Sequence, residues 1–421
     1  DIPEVNTVLF LRPTESLTIF LQQLGRGLRL AENKECLTVL DFIGQANKRY
    51  NFEDKFAALL SNTTRSVTRE IKDGFVSVPK GCYIQLEKKA AKYILDNIRS
   101  SIERKAGLID RISTFEEDTN SPLTLTNFLN YYHLDARAIY GKKTTFYDLC
   151  AKAGRKEFLE YPLHNSAYKI LFRLSTLDSQ RLIRYLLEQL PKIEELQWEK
   201  LPELEQLMWK MFYSTVWERP PEKLGFLNYL EGICAFRDNE ALYQETLELL
   251  TACLDGISVI GKPVKLGFSC PLDVHCTYTR AQILAALDFT EDYSISEGVK
   301  YLREKDVDIF FTTLNKANKY YSPTTAYHDY SINEWLFHWQ SQSTTSETSP
   351  TGQRYISKKE DSHVLLFVRE QKSDIYGTQP FVFLGPAHYV KHEGSRPMNI
   401  TWRLEQPIPA KFLKKTNKLV V

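Results

Sequence analysis

"VNTVLFLRPTESLTIFLQQLGRGLRLAENKECLTVLDFIG", residues 5–44, decides how the first part of this chain folds. Residues 5–11 and 36–44 are short, largely apolar and β-branched runs. Such runs read as buried strands. Between them Pro13 precedes a Thr14 cap with Glu15 and Ser16, so a helix is expected from about residue 16 to 24. Strand, helix and strand in this order make a βαβ unit, and a βαβ unit implies a parallel sheet. A fold does not usually open inside its sheet. The chain is therefore expected to be the C-terminal piece of something longer.

Gln22, Arg26 and Arg29 follow one another at spacings of four and three, which puts them on one face as the helix ends. Gly25 and Gly27 remove side-chain bulk there and let the backbone turn. A guanidinium is permanently charged and forks onto phosphate oxygens, so two on one face suit a terminal phosphate and the charge that develops during its transfer.

"DIPEVNTVLFLRPTESLTIFLQQLGRGLRL", residues 1–30, resembles motifs V and VI of superfamily 2 helicases of the restriction-enzyme-like DEAD/DEAH type. Asp1 and Pro3 match the end of motif V, and Gln22, Gly25, Arg26 and Arg29 match motif VI. In that family ATP and Mg²⁺ lie between two RecA-like lobes. The resemblance implies that Arg26 and Arg29 contact the γ-phosphate, with Asp1, Gln22 and Gly25 completing the nucleotide site from this side. It also implies that the first lobe is a partner. No G-x-x-x-x-G-K-[ST] string occurs here, and "ARAIYGKKTT" (136–145) has Lys143 where Ser or Thr is needed. The chain alone is expected not to hydrolyse ATP.

A length of 421 residues suggests two to four domains at roughly 100–200 residues each. The net charge of +1 hides an asymmetry: residues 181–256 carry 8 Lys/Arg against 14 Asp/Glu, and residues 350–421 carry 12 against 6. A basic C-terminal part points to a polyanionic partner. The seven cysteines are odd in number and scattered, which implies no disulfide framework and fits a reducing cytoplasm. Cys270, His275 and Cys276 lack a second pair at ligand spacing, so a metal centre is not expected. No apolar run approaches the roughly 18–20 residues of a membrane span.

From about residue 50 to 290 apolar residues recur at three and four, and one or two helical domains are expected, with Trp198, Trp209 and Trp217 in the core. From about 305 five runs alternate or stay apolar: "DIFFTTLNK", "EWLFHWQSQ", "HVLLFVRE", "FVFLGPAHYV" and "NITWRLEQPIP". Turn residues separate them, and 341–355 reads as a polar loop. The expected organisation is a multidomain α+β protein. A RecA-like α/β piece spans 1–50, a helical region 51–295 and a β-rich, barrel-like domain 296–421.

Trp335, Phe337 and Trp339 share one face of a strand and read as core, which leaves His338 and Gln340 on the other. With Gln342, Gln353, Arg354, Lys411, Lys414 and Lys415 these polar and basic residues are the DNA-binding candidates, and an aromatic pocket among them suits a flipped or modified base. Glu370 and Lys372 form an E-x-K string after a strand, with Asp361 upstream, so a nuclease site is an alternative. An interaction scaffold is another, which the acidic helical middle would suit. His388 and His392 read as surface residues. The stretch 278–410 is similar to the region of unknown function that follows the helicase core in some bacterial proteins, often with a phospholipase-D-like nuclease domain at the far N-terminus. That similarity implies DNA as partner and a restriction or defence setting.

Overall fold

A computed structural model describes residues 4–11, 17–29, 31, 34–42, 52–60, 67–78, 82–102, 105–132, 134–141, 143–257, 261–291, 293, 298–314, 329–356, 362–374 and 376–416. The chain divides into two compact units, Asp1–Leu123 with Asn127–Asp135, and Thr124–Thr126 with Ala136–Val421.

In the first unit β1 (Thr7–Phe10), α1 (Leu17–Gly27) and β2 (Thr38–Asp41) form the expected βαβ. The strands pair in parallel, with Thr7 opposite Thr38 and Phe10 opposite Asp41. Phe20 of α1 buries its ring against Phe10 at 5.4 Å. A Cβ on Gly27 would lie 2.9 Å from Leu37 Cδ2 and 3.3 Å from Val8 Cγ2, so glycine lets the end of α1 sit close on the strands. The outer face differs from expectation. Leu9 is 53% exposed and Leu40, directly opposite, is 46% exposed, so this pair is covered on one side only among the described residues. The Thr14 cap and Asp1 lie outside the described residues.

The unit continues with α2 (Phe52–Ala57), α3 (Val67–Asp73), α4 (Lys88–Ile102), α5 (Lys105–Thr119) and, from Asn127 on, the later part of α6 (Leu125–Tyr131). Lys55 of α2 pairs with Asp41 and sits 4.3 Å over the ring of Phe20, which ties α2 to the βαβ. Leu108, Ile112 and Phe115 bury one stripe of α5 at spacings of four and three, and Phe115 meets Phe128 at 5.7 Å.

The second unit starts with α7 (Arg137–Tyr140), α8 (Phe146–Lys152), α9 (His164–Leu174), α10 (Gln180–Gln189), α11 (Glu203–Trp217), α12 (Tyr229–Arg237) and α13 (Glu240–Asp255). Thr145 caps α8 by accepting from Asp148 N at 3.0 Å, while Asp148 Oδ2 accepts from Thr145 N at 3.3 Å. Glu245 of α13 reinforces that terminus from below, accepting from Phe146 N at 2.6 Å and Tyr147 N at 3.1 Å. Helix α11 is central, buried continuously from Leu207 to Val216 except at Lys210. Trp209 is fully buried there. Trp198 and Trp217 are only half-buried, with the Trp217 indole N–H donating to Gly232 O at 3.0 Å.

The sheet comes next. Its elements are β3 (Lys262–Pro263), β4 (Asp273–Val274), β5 (Thr277–Tyr278), α14 (Arg280–Ala286), β6 (Val299–Leu302), β7 (Val307–Thr313), β8 (Tyr330–Ser331), β9 (Leu336–Gln340), α15 (Pro350–Ile356), β10 (His363–Arg369), β11 (Phe381–Glu393), β12 (Asn399–Leu404) and α16 (Ala410–Thr416). All five expected strand runs are strands. The barrel is not formed among the described residues: their eight strands make an open mixed sheet in the order β6-β7-β10-β11-β12-β9-β8, with β5 beside β11, and β6 and β8 as its two ends. Strands β7 and β10 run parallel, from Val307 opposite His363 to Thr313 opposite Arg369.

The sheet nevertheless curls. Strand β11 carries Gly385 at φ +101°, and register shifts lie between Leu366 and Phe367 and between Tyr389 and Lys391. The curl brings Trp339 of β9 onto Phe310 of β7, stacked at 4.1 Å, though three strands separate them in the order. Tyr355 and Phe412, from α15 and α16, fill this concave core. So part of the stretch read as loop 341–355 is helix. Trp335 also departs from expectation: it is 39% exposed, because β9 begins one residue later and Asn333 Oδ1 holds the turn by accepting from Trp335 N and Leu336 N, both at 2.9 Å.

Candidate functional site

Two places gather Lys and Arg side chains among the described residues. The first is the end of α1. Gln22, Gly25, Arg26 and Arg29 are all exposed, and a Cβ on Gly25 would meet nothing. Lys34 caps this end, donating from Nζ to Gly27 O at 2.5 Å and Arg29 O at 3.0 Å. Cations there suit the negative end of the helix dipole. The expected motif thus stands on an exposed helix end between two parallel strands.

The second place lies wholly within the second unit. A cleft of about 1130 Å³ opens between α7, α9 and the concave end of the curled sheet. The helical wall is clamped to the loop after β10. Arg137 Nη1 donates to Asp374 Oδ2 at 3.0 Å, and Asp374 Oδ1 accepts from Tyr376 N at 2.9 Å and Gly377 N at 3.1 Å. A Cβ on Gly141 would lie 2.8 Å from Arg137 O and 3.0 Å from Tyr376 O, so glycine there lets the two backbones close up. Gly377 takes φ +149° against the ring of Phe172.

Among the described residues seven Lys/Arg side chains line the cleft against two carboxylates, Glu218 and Asp329. Lys143, Lys169, Arg219 and Lys372 are exposed at its rim. Deeper, the guanidinium of Arg280 lies 4.3 Å over Phe311 and that of Arg369 lies 4.3 Å over Phe381. Arg369 Nε also donates to Thr313 Oγ1 at 3.0 Å, so this guanidinium is held in place. Arg173 is engaged differently. It donates from Nε to Thr215 O at 2.6 Å and from Nη2 to Val216 O at 2.9 Å, and it pairs with Glu218 at 2.7 Å. It closes the end of α11, and burial lowers its pKa. Between the cations Tyr168, Phe172 and Tyr376 are half-buried, and Thr312 is 2% exposed with its hydroxyl unpartnered among the described residues.

The DNA-binding candidates divide among several places. Gln340 and Gln342 line the cleft. Gln340 is oriented by its own bonds, Nε2 donating to Asn399 Oδ1 at 3.1 Å and N to Asp329 Oδ1 at 3.0 Å. His338 stacks on Tyr330 at 4.6 Å and does not line the cleft. Gln353 lies on α15 with Nε2 donating to Glu347 O at 2.6 Å. Arg354 makes a forked pair with the buried Asp308, 2.6 Å from Nε and 2.9 Å from Nη2, and lies 3.7 Å over Tyr301. Lys411 is exposed on α16, and the side chains of Lys414 and Lys415 lie outside the described residues.

Of the E-x-K string, Lys372 is on the cleft rim and Glu370 is not among its lining residues, while Asp361 lies outside the described residues. Among the described residues no group of three His, Cys, Asp or Glu is placed to hold a metal. All seven cysteines are free, and burial pushes the Cys270 thiol up to about 11. His388 Nε2 meets Glu405 at 2.8 Å and His392 Nδ1 meets Tyr389 OH at 2.7 Å, both ordinary hydrogen bonds of the strand surface. No described helix is long and apolar enough to cross a membrane.

The residues that sequence reasoning missed are mostly on the helical wall: Lys169, Phe172, Arg219 and, next to the sheet, Arg280. Arg280 had a local signal, since Thr279 and Gln282 form a capping box that starts a helix beside it. Lys143 and Lys372 stand out in the sequence only within strings that imply a different chemistry.

Residues 272–415 match a family described as "Domain of unknown function (DUF3427)". The match covers the sheet wall of the cleft, about a third of the chain. The chain is also 40% identical over 47 residues to a Saccharomyces cerevisiae protein named "Putative ATP-dependent helicase IRC3". That stretch is 11% of this chain and 7% of the yeast protein. Over that stretch the chain is similar to a protein named as a helicase, and it spans a small fraction of that protein's length.

Proposed function

We propose that the chain serves as the C-terminal part of an ATP-dependent DNA helicase or translocase of a restriction or phage-defence type. The observation that carries this reading is the string Gln22-x-x-Gly25-Arg26-x-x-Arg29, which ends an exposed helix linking two parallel strands in a helicase-related chain. In this reading Arg26 and Arg29 reach the γ-phosphate of ATP·Mg²⁺ bound by a phosphate-loop lobe, and they stabilise the charge that spreads over the transferred phosphoryl group. The second unit is the accessory module that holds DNA, through a cleft whose cations outnumber its carboxylates seven to two among the described residues.

Arg26→Ala and Arg29→Ala, made in the protein carrying both lobes, test the motor. Each should lower DNA-stimulated ATP turnover by about 10³-fold or more with ATP binding less affected, since the contact matters most in the transition state. Turnover within a few-fold of the parent would exclude the assignment.

A further inference from the structure

Building on the reading of the second unit as a DNA-binding module, we propose that its cleft takes unpaired nucleotides of a DNA strand, rather than the paired duplex. Their bases would stack on Tyr168, Phe172 and Tyr376, and their phosphates would meet the rim cations.

Three observations carry this. First, the aromatic rings are half-buried inside a concave site instead of lying on a flat face. A ring in such a recess can stack only on a base whose own face is uncovered, and in a duplex each face is covered by the next base pair. Extruded or single-stranded bases expose theirs. Second, cations occur at two depths: lysines at the open rim, and Arg280 and Arg369 laid over Phe311 and Phe381. A backbone of phosphates crossing the rim with a base turned inward needs that arrangement. The inner guanidinium planes add stacking surface. Third, the lining offers hydrogen-bonding groups: the buried Thr312 hydroxyl, unpartnered among the described residues, and the side chain of Gln340. An unsatisfied buried hydroxyl is costly, and a base edge would satisfy it. The volume of about 1130 Å³ exceeds the roughly 300–1,000 Å³ of pockets for single small molecules, leaving room for more than one nucleotide.

The test uses the whole chain and fluorescence anisotropy at low salt, with four probes. They are a labelled single strand, the same sequence as a paired duplex, that duplex with one bulged base, and a free mononucleotide as competitor. The single strand and the bulged duplex should bind at least about ten-fold more tightly than the paired duplex. Tyr168→Ala should weaken single-strand binding roughly five- to 100-fold while Tyr168→Phe restores it, because stacking needs the ring and not the hydroxyl. Lys372→Glu, a rim change with no packing role, should weaken binding of every DNA probe. Equal affinity for strand and duplex, or a Tyr168→Ala protein that unfolds normally and binds the strand unchanged, would overturn the proposal while leaving the DNA-binding reading intact. Displacement of the strand by micromolar mononucleotide would also overturn it and assign the cleft to free nucleotides. Absence of binding to any DNA at low salt would remove the DNA-binding reading itself.

Discussion

The arginine corner of the first unit and the cleft of the second both present Lys and Arg side chains, and they are assembled in opposite ways. At the corner, Gln22, Gly25 and Arg26 come from α1 itself and Arg29 follows two residues after its end, so one short segment supplies them all. The cleft takes Lys143 from the turn after α7, Lys169 from α9, Arg219 from the end of α11, Arg280 from α14 and Lys372 from the loop after β10. No spacing in the chain links them. The corner is an exposed surface, which suits a group that must reach into a site on another lobe. The cleft is walled and half apolar, which suits a group that must hold a ligand by itself. A short motif can mark side chains that one segment supplies, and it carries no sign of side chains gathered from five separate segments.

The corner is where this contrast is most exposed to test, because the arginine-to-alanine changes carry the largest expected effect. Arg26→Lys and Arg29→Lys refine it. They keep the charge and lose the fork, so turnover should fall by less than with alanine but stay well below the parent in a steady-state ATPase assay.

Next in size is Arg354, which sequence reasoning placed among the DNA contacts. Its forked pair with Asp308, 1% exposed, makes it part of the core between α15 and β7. Arg354→Ala leaves a buried carboxylate without its partner, and chemical denaturation should show a loss of about 3–5 kcal/mol. DNA affinity of the folded protein should hardly change. A fall in affinity with stability intact would return Arg354 to the binding surface.

Glu245 gives a pH signature to the helical wall. Burial outweighs its hydrogen bonds from Tyr147 N and Phe146 N and pushes its pKa up from 4.5 to about 7. The folded state thus favours the protonated carboxyl. Its contribution is fully present below about pH 4.5 and is lost as pH rises through about 7, amounting to about 3 kcal/mol across that range. Glu245→Gln keeps an acceptor and removes the ionisation, so the stability-versus-pH curve should lose that slope. An unchanged curve would show that Glu245 titrates normally.

The smallest effects belong to the cleft rim. Lys143→Glu or Lys372→Glu should each weaken DNA binding and reduce the salt slope by roughly 0.7–0.9 per lost phosphate contact. Gln342→Ala should leave the salt slope alone and shift preference among bases, since base-edge contacts carry discrimination and phosphate contacts do not. A changed slope with Gln342→Ala would make it a phosphate contact instead.

Local pieces of this fold are legible in the chain. Strands β7, β10, β11 and β12 follow from apolar runs bounded by turn residues, and the parallel β1–β2 pair follows from the strand–helix–strand order. The spacing of four from Gln22 to Arg26 follows from the helix period, whereas α1 ends at Gly27 and leaves Arg29 beyond it. How these pieces close on one another is a matter of tertiary packing. Whether a run of β-strands becomes a barrel depends on which ends pair, and β6 and β8 stay at opposite ends of an open sheet even though Trp339 curls back onto Phe310. Whether Arg354 meets DNA or Asp308 depends on a helix from 350–356 packing over a strand 46 residues earlier. Whether Lys143 and Lys372 share a site depends on the Arg137–Asp374 clamp and on the lack of a side chain at Gly141. Each of these is a long-range contact between residues whose local neighbours carry no trace of it. Propensity and periodicity act over a few residues, and the closing of a cleft is settled by packing between distant ones.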